Sequence, residues 1–199
     1  MISAASPILV ISDSHGNVPF LTVVLKWACQ VQIAQNEIIA AAIFLGDGAD
    51  DLGLASARAG FSVPWHKVRG NGDPYHSSPG TLVLEIPCNQ DHREGSATSS
   101  RKLFLTHGNL HSVNEGKQTL AATAKAAGAE AALFGHTHIP HCSLLDGIFL
   151  LNPGSIGRSR SNAGPTFALL ECPTAGSLKA RFFRLVNNGG KIDVEEIEI

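Results

Sequence analysis

Cysteines are few, and the four present, Cys29, Cys88, Cys142 and Cys172, lie far apart with no C-x-x-C pair among them. This excludes reading a disulfide framework or a zinc knuckle from the sequence, and it points to a reducing cytoplasm. Long apolar runs are also missing, so no transmembrane span is expected. Met1 to Ile11 contains no Lys or Arg, and Asp13 breaks its apolar run before it reaches the length of a signal core. Charge is scarce as well: charged residues make up 16% of the chain and the net charge is -2, which argues against bulk nucleic acid binding. A hydrophobic content of 44% over 199 residues suits one domain, residues 1–199, with a sizeable core.

What the sequence does have is a recurrence of short apolar runs that end in polar clusters. Ile8 to Ile11 runs into Ser12-Asp13-Ser14-His15, and Ala42 to Leu45 runs into Gly46-Asp47-Gly48. His66 to Val68 leads to Gly70-Asn71-Gly72-Asp73, Leu103 to Thr106 leads to His107, and Ala131 to Phe134 leads to Gly135-His136-Thr137-His138. Runs of this length read as buried strands that deliver polar groups at their C-terminal ends. Val18 to Gln35 carries Leu21, Val24, Leu25, Ala28 and Val31 at helical spacing behind Asn17, a good N-cap, with Trp27 at a core position. A second, alanine-rich helix is expected over Lys117 to Ala127, ending at Gly128. Alternating strand and helix is the parallel α/β pattern. Thr81 to Ile86 and Arg101 to Thr106 read as a strand pair flanking the polar segment Pro87 to Ser100. Thr166 to Glu171, Lys179 to Leu185 and Ile192 to Ile199 read as a closing antiparallel meander.

In open α/β sheets, functional groups gather beyond the carboxyl ends of the strands. Taken singly, each cluster here has an ordinary explanation: Asp-x-His as a cap beside a histidine, Gly-Asp and Gly-Asn-Gly-Asp as turns. Together, Asp13, His15, Asp47, Asn71, His107, His136 and His138 form a set of oxygen and nitrogen donors without cysteine or an evident nucleophile triad. Such donors suit Mn²⁺, Fe, Co²⁺, Ni²⁺ or Zn²⁺ better than Ca²⁺ or Mg²⁺, and manganese is the favoured ion. Seven ligands exceed the needs of one ion with an open water position, so two ions are expected, with Asp47 as the bridge. Each pair, Asp13/His15 and His136/His138, would project on one side of a locally extended backbone. Arg158 and Arg160 are candidates to grip a phosphate. His66, His76, His92, His111 and His141 read as surface or loop residues, and Trp65 beside Pro64 reads as packing.

The order Asp13-x-His15, Gly46-Asp47, Gly70-Asn71-Gly72-Asp73, His107, Gly135-His136-Thr137-His138 resembles the calcineurin-like metallophosphoesterases. With Asn152-Pro153-Gly154-Ser155 after the last motif, the small size is similar to that of the YfcE-type phosphodiesterases. The resemblance implies a four-layer α/β/β/α sandwich with mixed sheets. It implies a first metal on Asp13, His15 and His138, a second on Asn71, His107 and His136, and Asp47 on both. The expected catalytic residues are Asp47, Asn71 and His107. The implied reaction is in-line attack on the phosphorus of a small phosphodiester by a metal-bridging hydroxide, in a protein compatible with a homo-oligomer. Two positions depart from the pattern: Gly72 stands where many relatives have His or Cys, and Asn109 where many have a second His. The alternatives are a phosphomonoesterase, a protein or dinucleoside-polyphosphate phosphatase, and a protein-binding scaffold of the same fold, like the retromer subunit. If another residue replaces the proton donor missing at Gly72, His76 and His111 are nearest the motifs.

Overall fold

Strand β1, Ile8–Ile11, shows how the layers arise. All four of its side chains are buried, Ile8 and Val10 on one face and Leu9 and Ile11 on the other, as the period of two in a strand requires. A strand buried on both faces needs cover on both, and this one lies between a second sheet and a helical layer. The structure, a computed structural model, describes residues 6–34, 38–87, 100–173 and 175–199. Residues 88–99 of the polar segment, with Cys88 and His92, lie outside the described residues.

After β1 come helix α1 (Val18–Ala34), β2 (Ala41–Phe44), α2 (Asp51–Ala59) and β3 (Trp65–Lys67), then the pair β4 (Thr81–Pro87) and β5 (Ser100–Thr106). Helix α3 (Gln118–Ala126) precedes β6 (Ala131–Leu133), β7 (His141–Leu145) and β8 (Ile148–Asn152). The chain closes with β9 (Thr166–Glu171), β10 (Lys179–Asn188) and β11 (Lys191–Ile197). One sheet has six strands in the order β11-β10-β9-β1-β2-β3, and the other has five in the order β4-β5-β6-β8-β7. Both sheets are mixed: β1-β2-β3 and β5-β6-β8 run parallel, and the remaining pairs are antiparallel.

Three apolar clusters fill the three gaps between four layers. Ile8, Val10, Ile43 and Ala168 meet Leu103, Leu105, Leu133 and Leu151 between the sheets. Leu21, Leu25 and Ala28 of α1, with Leu52 and Ala55 of α2, cover Leu9, Ile11, Phe44 and Phe167. Leu120, Ala121 and Ala124 of α3 cover Phe104, Ala132 and Leu150 on the far side. Fully burying a side chain of this kind contributes about 1.5–3 kcal/mol, so the alternating strands supply most of the drive to stack. This is the α/β/β/α sandwich expected.

Local details follow the sequence closely. The Asn17 side chain accepts from the Phe20 amide at 3.1 Å and caps α1, and Gly128 ends α3 at φ +71. Trp27 packs edge-on against Phe167 at 5.0 Å, and Trp65 joins the same cluster. Helix α2 and the β7–β8 hairpin are additions to the sequence reading. No helix among the described residues is long and apolar enough to cross a membrane.

Candidate metal centre

Asp13 and His15 follow β1, Asp47 follows β2, and Asn71 follows β3, all from the six-stranded sheet. His107 follows β5, and His136 and His138 follow β6, from the five-stranded sheet. The loops lock to one another through their backbones. The Asp13 amide donates to Gly46 O at 2.9 Å, the His15 amide to Asp47 O at 3.0 Å, and the Gly135 amide to His107 O at 2.9 Å. A Cβ on Gly46, which sits at φ +97, would fall 2.4 Å from the Gly70 amide nitrogen, so the two loops touch backbone to backbone.

Five of the candidate ligand positions carry unusual backbone. Asp13, His15, Asp47, His136 and His138 have φ of +56, +45, +59, +67 and +61, in the left-handed region that L-residues rarely adopt. The extended backbone expected for the Asp13/His15 and His136/His138 pairs is therefore not what converges them. Strained residues of this kind cluster at functional sites, because the surrounding contacts must hold them there.

The side chains meet around two carboxylates. His138 Nε2 lies 3.1 Å from Asp13 Oδ1, and His15 Nε2 lies 3.6 Å from the same oxygen. His107 Nε2 is 3.5 Å from Asp47 Oδ2, which is also 3.8 Å from His15 Nε2. His15 and His138 bring their Nε2 atoms to 3.2 Å, and His136 Nδ1 approaches His107 Nε2 at 3.3 Å. Two groups of three could hold a metal ion, Asp13-His15-His138 and Asp13-Asp47-His107, with Asp13 common to both. Asn71 lines the same cavity of about 220 Å³, with His15, Asp47, His136, His138, Arg158 and Arg160.

Hydrogen bonds outside this cluster aim it inward. A carbonyl can only accept, so His107 Nδ1 donates to Leu45 O at 2.7 Å and His138 Nδ1 donates to Arg158 O at 2.6 Å, which turns each Nε2 towards the carboxylates. Asp13 Oδ2 accepts from Ser12 Oγ and from the His136 amide at 3.1 Å, and Asp47 Oδ1 accepts from the Gly72 amide at 2.7 Å. Asp73 accepts from four amides, those of Asp47, Gly48, Ala49 and Gly70, at 2.8–3.0 Å. Its role as the anchor of both loops was missed in the sequence, although its place in Gly-Asn-x-Asp was visible.

The charges show what the centre wants. Burial opposes the Asp13 carboxylate, yet the polar contacts of the His138 and His15 rings and the charge of His107 hold its pKa well below the usual range. Asp47 is likewise lowered, its burial outweighed by the hydrogen bond and charge of His107 and by the Gly72 amide. For His107, burial lowers the pKa but is outweighed by the hydrogen bond to Asp47 and the charges of Asp13 and Asp47, so it rises. Two buried carboxylates thus favour the protonated form of the histidine beside them, the mark of a centre short of positive charge. Asp13 Oδ1 is fully buried and has no hydrogen-bond partner, a polar atom that burial makes costly unless something else binds it. Together with the nitrogen and oxygen donors around it, that orphaned oxygen fits a divalent metal ion.

Of the suspected proton donors, His111 is buried rather than on the surface. Its Nδ1 lies 3.3 Å from Thr106 Oγ1, and its ring stands edge-on to Phe104 at 5.5 Å. His76 is exposed, and neither histidine lines the cavity.

A family model described as the calcineurin-like phosphoesterase superfamily domain matches residues 7–175. The chain belongs to this superfamily. The metallophosphoesterase is 29% identical over 163 residues to the probable metallophosphoesterase YsnB of Bacillus subtilis, covering 82% of each chain. A solved predicted phosphoesterase from Streptococcus pneumoniae is 26% identical with a TM-score of 0.64, over 96% of this chain and 98% of the other. A single-mutant Vps29 from Entamoeba histolytica has the same fold, with a TM-score of 0.67 at 22% identity over 97% and 99% of the two chains. The superfamily identifies a metal-dependent phosphoesterase and, in the cluster around Asp13 and Asp47, its candidate metal-binding residues.

Proposed function

We propose that this phosphoesterase is a phosphodiesterase working with two divalent transition-metal ions, Mn²⁺ first among them. Asp13, His15 and His138 would hold one ion, Asn71, His107 and His136 the other, and Asp47 would touch both. The observation that carries the reading is the convergence of His15 and His138 on the buried Asp13 Oδ1, which lacks a hydrogen-bond partner, and of His15 and His107 on Asp47 Oδ2, with Asn71 and His136 lining the same cavity. When bound, such ions supply positive charge to the phosphoryl oxygens and make a water more acidic.

The chain's own residues do the rest. Leu45 O and Arg158 O fix the tautomers of His107 and His138, and Asp73 fixes the loop that carries Asp47. Gly72 leaves no side chain to protonate a leaving group, and its amide instead holds Asp47 Oδ1. General acid help is worth about 10²–10⁴-fold, most for poor alkoxides, so its lack favours diesters whose leaving groups depart unaided. A non-catalytic scaffold would be expected to lose ligands, and all seven positions are filled here.

The experiment compares nitrophenyl phosphate with bis-nitrophenyl phosphate after loading with Mn²⁺, Ni²⁺ or Co²⁺, alongside elemental analysis of the loaded protein. Faster diester turnover and two ions per chain are expected. Monoester turnover exceeding diester turnover with every metal would overturn the diester assignment. No more than one ion per chain after Mn²⁺ loading would overturn the dinuclear one.

A further inference from the structure

The cavity carries more positive charge than the ligand cluster accounts for. Arg158 and Arg160 line its wall beside Asp47 and His138, and both are exposed. Elsewhere Arg101 pairs with Glu130, Arg181 with Glu171 and Arg184 with Glu195, and Arg69 donates to the Tyr75 and Ser78 carbonyls, whereas exposed Arg58 stands alone and far in sequence from the cavity lining. Among the described residues, neither the Arg158 nor the Arg160 guanidinium has an ion-pair or hydrogen-bond partner within the protein. A chain of net charge -2 is not basic overall, so two uncompensated cations at one cavity are a local concentration.

The loop that presents them is fixed. The Gly157 amide donates to Asp13 O at 2.9 Å, the Arg158 amide to Ser155 Oγ at 2.8 Å, and the Arg160 amide to His138 O at 3.1 Å. A Cβ on Gly157 would stand 2.0 Å from Ser14 O, so the loop rests directly on the backbone between Asp13 and His15. The two guanidiniums therefore spring from a base that is part of the ligand framework.

Charge counting then bears on the substrate. A diester phosphate brings one negative charge, and two carboxylates, Asp13 and Asp47, set against two divalent ions already leave a positive centre for it. Two further guanidiniums, whose planar forks match phosphate oxygens, exceed that need. We infer that the substrate is a phosphodiester bearing a second phosphoryl group, which Arg158 and Arg160 hold. The inference rests on the phosphodiesterase reading above. A cavity of about 220 Å³ puts the second group close to the first, either across one sugar or through a P–O–P bridge.

The test uses Mn²⁺-loaded protein and two readouts. Calorimetry measures the binding of thymidine monophosphate, thymidine diphosphate and thymidine bisphosphate with one phosphate on each sugar hydroxyl. Kinetics compares the nitrophenyl ester of thymidine 5′-phosphate with and without a 3′-phosphate. At least one doubly phosphorylated ligand is expected to bind about 10-fold tighter than the monophosphate, as charge-assisted hydrogen bonds allow, and the tighter one tells which linkage the cavity fits. That ratio should fall to near one in the Arg158→Gln/Arg160→Gln double variant, recover in part in the Arg158→Lys/Arg160→Lys variant, and shrink with added salt. Thermal melting of both variants should match that of the native protein. Equal affinities in the native protein, or a ratio that survives the double Gln substitution, would overturn the inference. Loss of turnover on both esters with the binding ratio intact would instead overturn the phosphodiesterase reading and leave the arginine assignment standing.

Discussion

The two halves of the six-stranded sheet use polar residues in opposite ways. At the end of the parallel half, β1-β2-β3, carboxylates are bonded to backbone amides: half-buried Asp73 to four, and buried Asp47 to Gly72. In the antiparallel half, β9-β10-β11, polar side chains pair with one another in solvent, as Arg184 does with Glu195 at 2.9 Å and Lys191 with Asp193 at 2.6 Å. A carboxylate held by fixed amides loses little freedom on binding a ligand, whereas two long exposed side chains spend entropy to meet and are screened by salt. The first arrangement serves a site, and the second serves a surface.

Substitutions at each end should therefore differ in kind. Asp47→Ala removes the carboxylate between His15 and His107, and on the two-ion phosphodiesterase reading proposed above, turnover of a diester should fall by on the order of 10³-fold with loss of both ions. A variant that kept one ion fully occupied and most of its activity would break the contrast. Asp73→Ala touches no donor of the cluster, yet it leaves four amides without an acceptor. It should cost about 2–4 kcal/mol in denaturant unfolding, and activity with it. If stability fell by less than the error of the extrapolation, the amide network would not be what holds the loops. Chelation of the metals should lower stability by about 2.7 kcal/mol relative to protein with free ion at about 100 times its dissociation constant. A melting temperature indifferent to chelator would show that the centre binds no ion in the folded state. Arg184→Ala marks the other end of the scale: a change of about 0–1 kcal/mol and unaltered turnover are expected. A clear loss of activity there would show that the meander is coupled to the site after all.

Much of this was legible in the sequence. Four of the five strand-end clusters come together because each follows an apolar run that must be buried, and the three cores sort the alternate residues of those runs, while β3 is only half-buried and its cluster is placed by pairing with β2. Helix α2 was not legible, since Leu52 and Ala55 are its only buried apolar residues and Gly53 and exposed Leu54 blur the period. The β7–β8 hairpin could have been found. Asp146-Gly147 joins Leu145 to its partner Ile148, with φ of +52 and +83, and an Asp-Gly pair between apolar runs is the standard sequence sign of such a turn. His111 was misread because polarity suggested the surface, while its bond to Thr106 and its contact with Phe104 satisfy it inside. The left-handed backbone at Asp13, His15, Asp47, His136 and His138 was not read from the sequence: Asp and His enter that region more readily than most residues, but contacts distant in sequence decide where they do.

The four amides gathered by Asp73 also bear on how quickly the centre fills. They tie the loop after β2 to the loop after β3 through protein atoms alone, and the Gly46–Gly70 contact sets the gap between them. An incoming ion would then find the candidate ligands already assembled, with no chain segment left to fold around it. Loading should therefore proceed at a rate set by encounter, without a slow ordering phase. Stripping and refilling the centre should leave the molecule unchanged through repeated cycles.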